Sequence, residues 1–318
     1  MSARPVMLIV IAVNLICLFI FERISTKILL KNELDKNVEI VSGIANNILA
    51  VERVTERALS NALQVLEGYL LAKPKASNEE LKTLKDKLNV TSLITVDKHG
   101  KYLKYIKGGV EIDKATEEKL KHISLFEKPY SASYKDLQNE SGKVIYLPFF
   151  TSATRQLFTN KQVVTKSAAV WLDSLQMYLC VTLDEDYVHE NLNDNFLLHK
   201  ELQSLSIFTP SGTTLLQSMK GDYKPSDKIE EIAEYAETPI IHNSDKLEVI
   251  LPFGGIQKEN GSAINKGLAN SNDEYFYVLK ADFAKTKLNK QLLVVRLLLA
   301  GFFVFMSGVV CVLRKNLF

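Results

Sequence analysis

The 318-residue chain sets 39 Lys and Arg against 37 Asp and Glu, a formal net charge of +2, and no basic stripe suits it to nucleic acid. Of the three cysteines, Cys17 and Cys311 fall in apolar runs near the ends, which leaves Cys180 alone and no internal disulfide expected. The chain is long and apolar enough for more than one core.

Pro5 to Phe21 and Leu297 to Leu313 contain no charged residue. Each is about 17 residues, roughly 26 Å of helix, close to the core of a thin bilayer. The spacing predicts a transmembrane helix near each end, over residues 5–21 and 291–313, rather than two buried core helices. No small-x-small site follows Phe21, and Ile16 stands before Cys17 where a lipobox needs a small residue, so an uncleaved anchor is expected. Arg4 precedes the first run, and Arg314 and Lys315 follow the second. Both tips, 1–4 and 314–318, are thus expected in the cytoplasm and the bulk outside.

Residues 22–73 read as one long helix. Leu34, Val38, Val41, Ala45 and Ile48 step by fours and threes, as do Leu59, Leu63, Leu66 and Leu70, laying an apolar stripe that Pro74 ends. Ser77-Asn78-Glu79-Glu80 is a capping-box pattern for a short helix to about Leu88. Ser92–Val96, a turn at Asp97–Gly100 and Lys101–Ile106 read as a hairpin.

This organisation recurs. Ser204–Phe208, a turn at Thr209–Gly212 and Thr213–Gln217 repeat the hairpin, and helical segments follow near Lys114–His122 and Asp227–Glu237. Val144–Phe149 is echoed by Glu248–Phe253. Tyr178–Leu183 leads to Asp186-Tyr187 and a helix as Tyr275–Leu279 leads to Asp282-Phe283 and a helix. The offsets from Ser92 to Ser204, Val144 to Glu248 and Asp186 to Asp282 are 112, 104 and 96 residues, in order. Ordered anchors of this kind indicate two tandem units, over 74–200 and 201–290. Each is expected to be α+β, with a helix on an antiparallel sheet. The helix after Asp282 is expected to run into the second span.

An inside tip, an anchor, a long helix, two PAS-like units and a second anchor resemble the double-Cache sensor modules of bacterial chemoreceptors, histidine kinases and cyclases. The stretch Pro129–Asp136, Ser141-Gly142-Lys143 and Val144–Pro148 looks like that family's entry into the middle strands. The resemblance implies a small-molecule pocket in the membrane-distal unit, with Tyr130, Tyr134, Asp136 and Tyr146 as lining and Arg155 and Trp171 as additions. It also implies a bacterial cytoplasmic membrane and a periplasmic sensory body. Two departures stand out. Lys121–Phe126 has no equivalent of the Arg-x-Trp-Tyr cluster of the amino-acid-binding subgroup, and Thr182 stands where that subgroup has an aspartate. The tail after the second span is also too short for an output domain, so a signal is expected to pass to another protein.

The five histidines, His99, His122, His189, His199 and His242, form no metal-ligand spacing. There is no nucleophile elbow and no phosphate-cradling glycine loop, so neither an enzyme nor a bound cofactor is expected. Ala300, Gly301, Ser307 and Gly308 form a seam of small residues in the second span, suited to close helix packing in lipid. Its partner is the first span, a second copy or a separate signalling protein. The function read from the chain is a non-enzymatic, membrane-anchored sensor. The alternatives are a membrane-tethered scaffold or assembly factor, and a receptor that has lost its output domain.

Overall fold

The computed structural model describes residues 3–99, 101–107, 144–151, 164–184, 186–208, 214–222, 240–243, 246–259, 262–268 and 274–317. The helices expected at 114–122 and 227–237 lie outside them.

Helix α1 runs unbroken from Ala3–Ala72, so the first apolar run and the stalk are one rod, about 105 Å long at 1.5 Å per residue. Pro74, which has no N–H, follows its last turn. Helix α2, Asn78–Lys87, opens with the expected capping box: Glu80 N donates to Ser77 Oγ and Ser77 N to Glu80 Oε2.

Two antiparallel sheets follow. The first holds β1 (Ser92–Asp97), β2 (Tyr102–Lys107), β3 (Val144–Thr151), β4 (Val164–Leu172) and β5 (Met177–Asp184) in the order β2-β1-β5-β4-β3. Asp97 Oδ1 accepts from the backbone of His99 and Lys101, which shapes the β1–β2 turn. Helix α3 (Asp186–Leu198) leads to the second sheet. That sheet comprises β6 (Leu202–Phe208), β7 (Thr214–Met219), β8 (Ile240–Asn243), β9 (Leu247–Glu259), β10 (Ser262–Leu268) and β11 (Glu274–Phe283). Its order is β10-β9-β11-β6-β7, with β8 paired to β9. The architecture is α+β, with one long helix across two sheets.

One of the matched anchors is not structurally equivalent. Val144–Phe149 lies in edge strand β3, whereas Glu248–Phe253 lies in β9, beside β11, where the first sheet has β4 beside β5. The counterpart of β3 is β8, and β10 is extra. Both anchors read as apolar strand with Leu-Pro-Phe, but position in a sheet is decided by pairing, which local pattern does not encode. A second difference is that Asp282 and Phe283 end β11 instead of opening a helix. Phe283 is core, and helix α4 begins at Thr286 and continues to Leu317.

The apolar stripe of α1 serves both sheets in turn. Val41, Ile44, Ala45, Ile48 and Leu49 pack with Leu205, Ile207, Val249, Leu251, Leu279 and Phe283 of the second sheet. Leu59, Leu63, Leu66 and Leu70 pack with Leu93, Ala168, Val170, Leu179 and Val181 of the first. At about 25 cal/mol per Å² of buried apolar surface, this packing dominates what holds the sheets to the rod. Among the described residues one segment, Thr286–Val310 within α4, is long and apolar enough to cross a membrane.

Candidate functional site

Side chains alternate across a strand, so the first sheet has two unlike faces. Toward α1 it turns Ala168, Val170, Leu179 and Val181. On the opposite face three rows lie in register: Ser92, Thr182 and Ser167; Ile94, Cys180 and Ala169; Val96, Tyr178 and Trp171. All nine are buried. The first row is hydroxyl-bearing, with Ser92 Oγ bonded to Thr182 Oγ1. The last is aromatic, with the Trp171 and Tyr178 rings 4.6 Å apart and tilted by 56°. Trp171 Nε1 donates to Asp173 Oδ1 at 3.4 Å. With Ile94, Cys180 and Ala169 between them, the hydroxyl row and the aromatic pair offer hydrogen bonds at one end and stacking at the other. They bring no acid–base pair.

The expected site residues divide. Tyr130, Tyr134, Asp136 and Arg155 lie outside the described residues. Trp171 is on the face opposite α1. Tyr146 is not: its partner is Ala168, on the α1 side, and it packs half-buried against that core. Tyr146 and Trp171 therefore do not share a pocket wall, because their registers fall on opposite pleats. Thr182, noted in the sequence as a substitute for aspartate, does sit on the candidate face, paired with Ser92 instead of a cation.

Sequence reasoning missed the buried polar groups. Glu52 of α1 is 1% exposed; its Oε1 accepts from Lys166 Nζ of β4 and, at 2.7 Å, from Tyr277 OH of β11. Lys166 also meets Glu56 Oε1 at 3.0 Å. The signal was present in the chain: Glu52, four residues after Ile48, occupies a stripe position, an acid where the period demands an apolar residue. On the second sheet's outer face, Lys280 pairs with Glu248 at 2.6 Å and Asp282 with Lys246 at 2.8 Å. Ser204 Oγ also donates to Asp282 at 2.9 Å. Those charges serve one another. Among the described residues no group of His, Cys, Asp and Glu is arranged to hold a metal.

At the apolar end, Arg296 Nε of α4 meets Glu22 Oε1 of α1 at 2.8 Å. Beyond it a half-open cavity of about 510 Å³ lies between the helices, lined by Asn14, Leu18, Phe21, Leu299, Phe302 and Met306 among others. Bulky side chains thus form the facing surfaces. Gly301 and Gly308 have no atom within 4 Å of where a Cβ would stand, Ala300 is exposed and Ser307 half-exposed.

No family model matches the chain, and no curated protein does. Solved structures do resemble it. The ligand-binding domain of the Campylobacter jejuni chemoreceptor Tlp3, in complex with 4-methylisoleucine, has 10% identity and a TM-score of 0.48, covering 82% of this chain and 94% of that one. The ligand-binding domain of Mlp24 with asparagine has 12% identity and a TM-score of 0.46, covering 85% and 98%. A domain of a putative sensory box/GGDEF family protein from Vibrio parahaemolyticus has 15% identity and a TM-score of 0.43, covering 84% and 98%.

Proposed function

We propose that the chain is a non-enzymatic, membrane-anchored sensor of the double-Cache kind, with its two sheets outside the bacterial cytoplasmic membrane and both tips inside. The observation that carries the reading is mechanical. Strand β11, central in the second sheet, ends at Phe283, and after two residues the apolar helix α4 begins. A displacement of that sheet is thereby delivered to a membrane segment. The exposed apolar surface of Ile9, Val13, Ile16, Phe19 and Ile20 on α1 supports a second span beside it.

The ligand site in this reading is the face of the first sheet opposite α1, and Tyr130, Tyr134, Asp136 and Arg155 stay candidate binding residues on the sequence resemblance alone. The hydroxyls of Ser92, Ser167 and Thr182 favour a small polar ligand with an apolar or planar part for Trp171. Such a ligand moves the protein only by binding one arrangement of the sheets more tightly than another.

The test is a thermal-shift screen of the full chain in detergent against amino acids, small carboxylates and nucleobases. A stabilising compound whose effect is lost in Thr182→Val and in Tyr134→Phe supports the site. A compound that stabilises both variants as it does the parent removes it. If no compound stabilises the chain while it captures a periplasmic protein, the tethered-scaffold reading replaces the sensor.

A further inference from the structure

We infer that Glu52 is a positioning residue that couples the two sheets, relaying the state of the first sheet to β11 and so to α4. The inference rests on the sensor reading for its purpose but not for its geometry.

One carboxylate oxygen receives a lysine from one sheet and a tyrosine from the other. Lys166, Glu52 and Tyr277 are all at most 2% exposed, so water does not screen the contact. Among the described residues Glu52 Oε2 has no hydrogen-bond partner. A buried carboxylate with both donors on one oxygen and none on the other has a second arrangement close by. Rotation of the group gives each donor its own oxygen. Discrete alternatives in a packed polar node are what coupling between sites requires.

Each partner is placed to use that choice. Lys166 projects toward α1 from β4, and its neighbours Thr165 and Ser167 lie on the opposite, candidate face. A tilt of β4 imposed there moves Lys166 on this side. Tyr277 is held against its own sheet, its ring tilted on Phe253 at 5.2 Å between centroids and pressed on Gly254. It therefore moves with β11 instead of swinging free. Edge strands β3 and β7 also approach one another, but neither leads into a membrane helix. Below the node, Lys287 and Arg296 of α4 face Glu33 and Glu22 of α1, so a shift of β11 is felt between the two helices.

The experiment needs no ligand. The full chain, freed of its three cysteines, is placed in nanodiscs with spin labels at Lys27→Cys and Lys290→Cys, both exposed positions. Lys166→Met, Tyr277→Phe and the isosteric Glu52→Gln should each move the interlabel distance by roughly 1–2 Å in one direction. The double variant Lys166→Met/Tyr277→Phe should move it no further than either single one, and Lys166→Arg should keep the parent distance. A folded Lys166→Met chain that keeps the parent distance overturns the relay. So does a double variant whose shift is the total of the two singles. If Lys166→Met fails to fold, an unchanged distance in Glu52→Gln overturns it equally. Failure of every compound in the ligand screen leaves this measurement intact, so the two ideas fail separately.

Discussion

Gly254 lies beneath the ring of Tyr277: a Cβ at that glycine would stand 2.8 Å from Cδ2 of the tyrosine. Its φ of +75° is left-handed as well, a conformation side chains adopt at a cost. Gly254→Ala should therefore destabilise the chain by about 2–4 kcal/mol, through strain and overpacking together. Chemical denaturation in mild detergent measures this. Tyr277→Ala empties a buried site and is costly by itself, so the comparison is made within that background, where Gly254→Ala should cost only the strain part. An unchanged midpoint for Gly254→Ala in the parent would show that the ring does not rest there.

Removing one member of the buried ionic group should cost more than removing its charge altogether. Lys166→Met leaves Glu52 and Glu56 facing an apolar side chain, and breaking such a pair costs about 3–5 kcal/mol. Glu52→Gln in that background removes one uncompensated charge yet still accepts from Tyr277. The double variant is therefore expected to be more stable than Lys166→Met alone, again by denaturation midpoint. A double variant less stable than the single would mean that the carboxylate stabilises without its lysine.

Much of the fold was legible because local pattern decides it. The hairpins at Ser92–Lys107 and Leu202–Met219, the capping box at Ser77 and the stripes of α1 all follow from period and turn chemistry. What was not legible depends on pairing across the chain. The face that Tyr146 occupies is set by its register with Ala168, and the Lys166–Glu52 contact joins residues 114 positions apart. The Leu-Pro-Phe segments of β3 and β9 show the same gap: near-identical strands take different places in their sheets. For the candidate site, Trp171 and Thr182 were reachable from the sequence, whereas the hydroxyl row beside Thr182 required knowing which strands are neighbours.

The junction of α1 and α2 should loosen in acid. Glu80 is lowered to about 2, chiefly by the hydrogen bond from Lys73 and then by the Ser77 backbone. Its ordinary value is 4.5. The folded form thus holds the proton less tightly than the unfolded form. The contribution is complete above about pH 4.5 and is lost as pH falls toward about 2. Amide exchange at Ser77 and Glu80, corrected for intrinsic rates, should rise through that window in the parent and be flat in Glu80→Gln.

The packing of the two apolar helices gives a last test, because the sequence and the structure point to different faces. The small residues of α4 suggest a close seam, yet nothing stands near Gly301 or Gly308, while Phe302 and Met306 line the cavity shared with α1. Gly301→Ala and Gly308→Ala fill open space and remove conformational freedom, so they should leave α1–α4 contact intact and favour the helix by up to about 1 kcal/mol each. Phe302→Ala enlarges an existing gap and removes contacts between the helices, so it should loosen the pair. Crosslinking between Leu18→Cys and Leu299→Cys in membranes, in a chain without its native cysteines, separates the cases. The yield should fall in Phe302→Ala and hold in both glycine variants. The reverse result would assign the contact to the glycine face and require α4 to turn about its axis relative to α1.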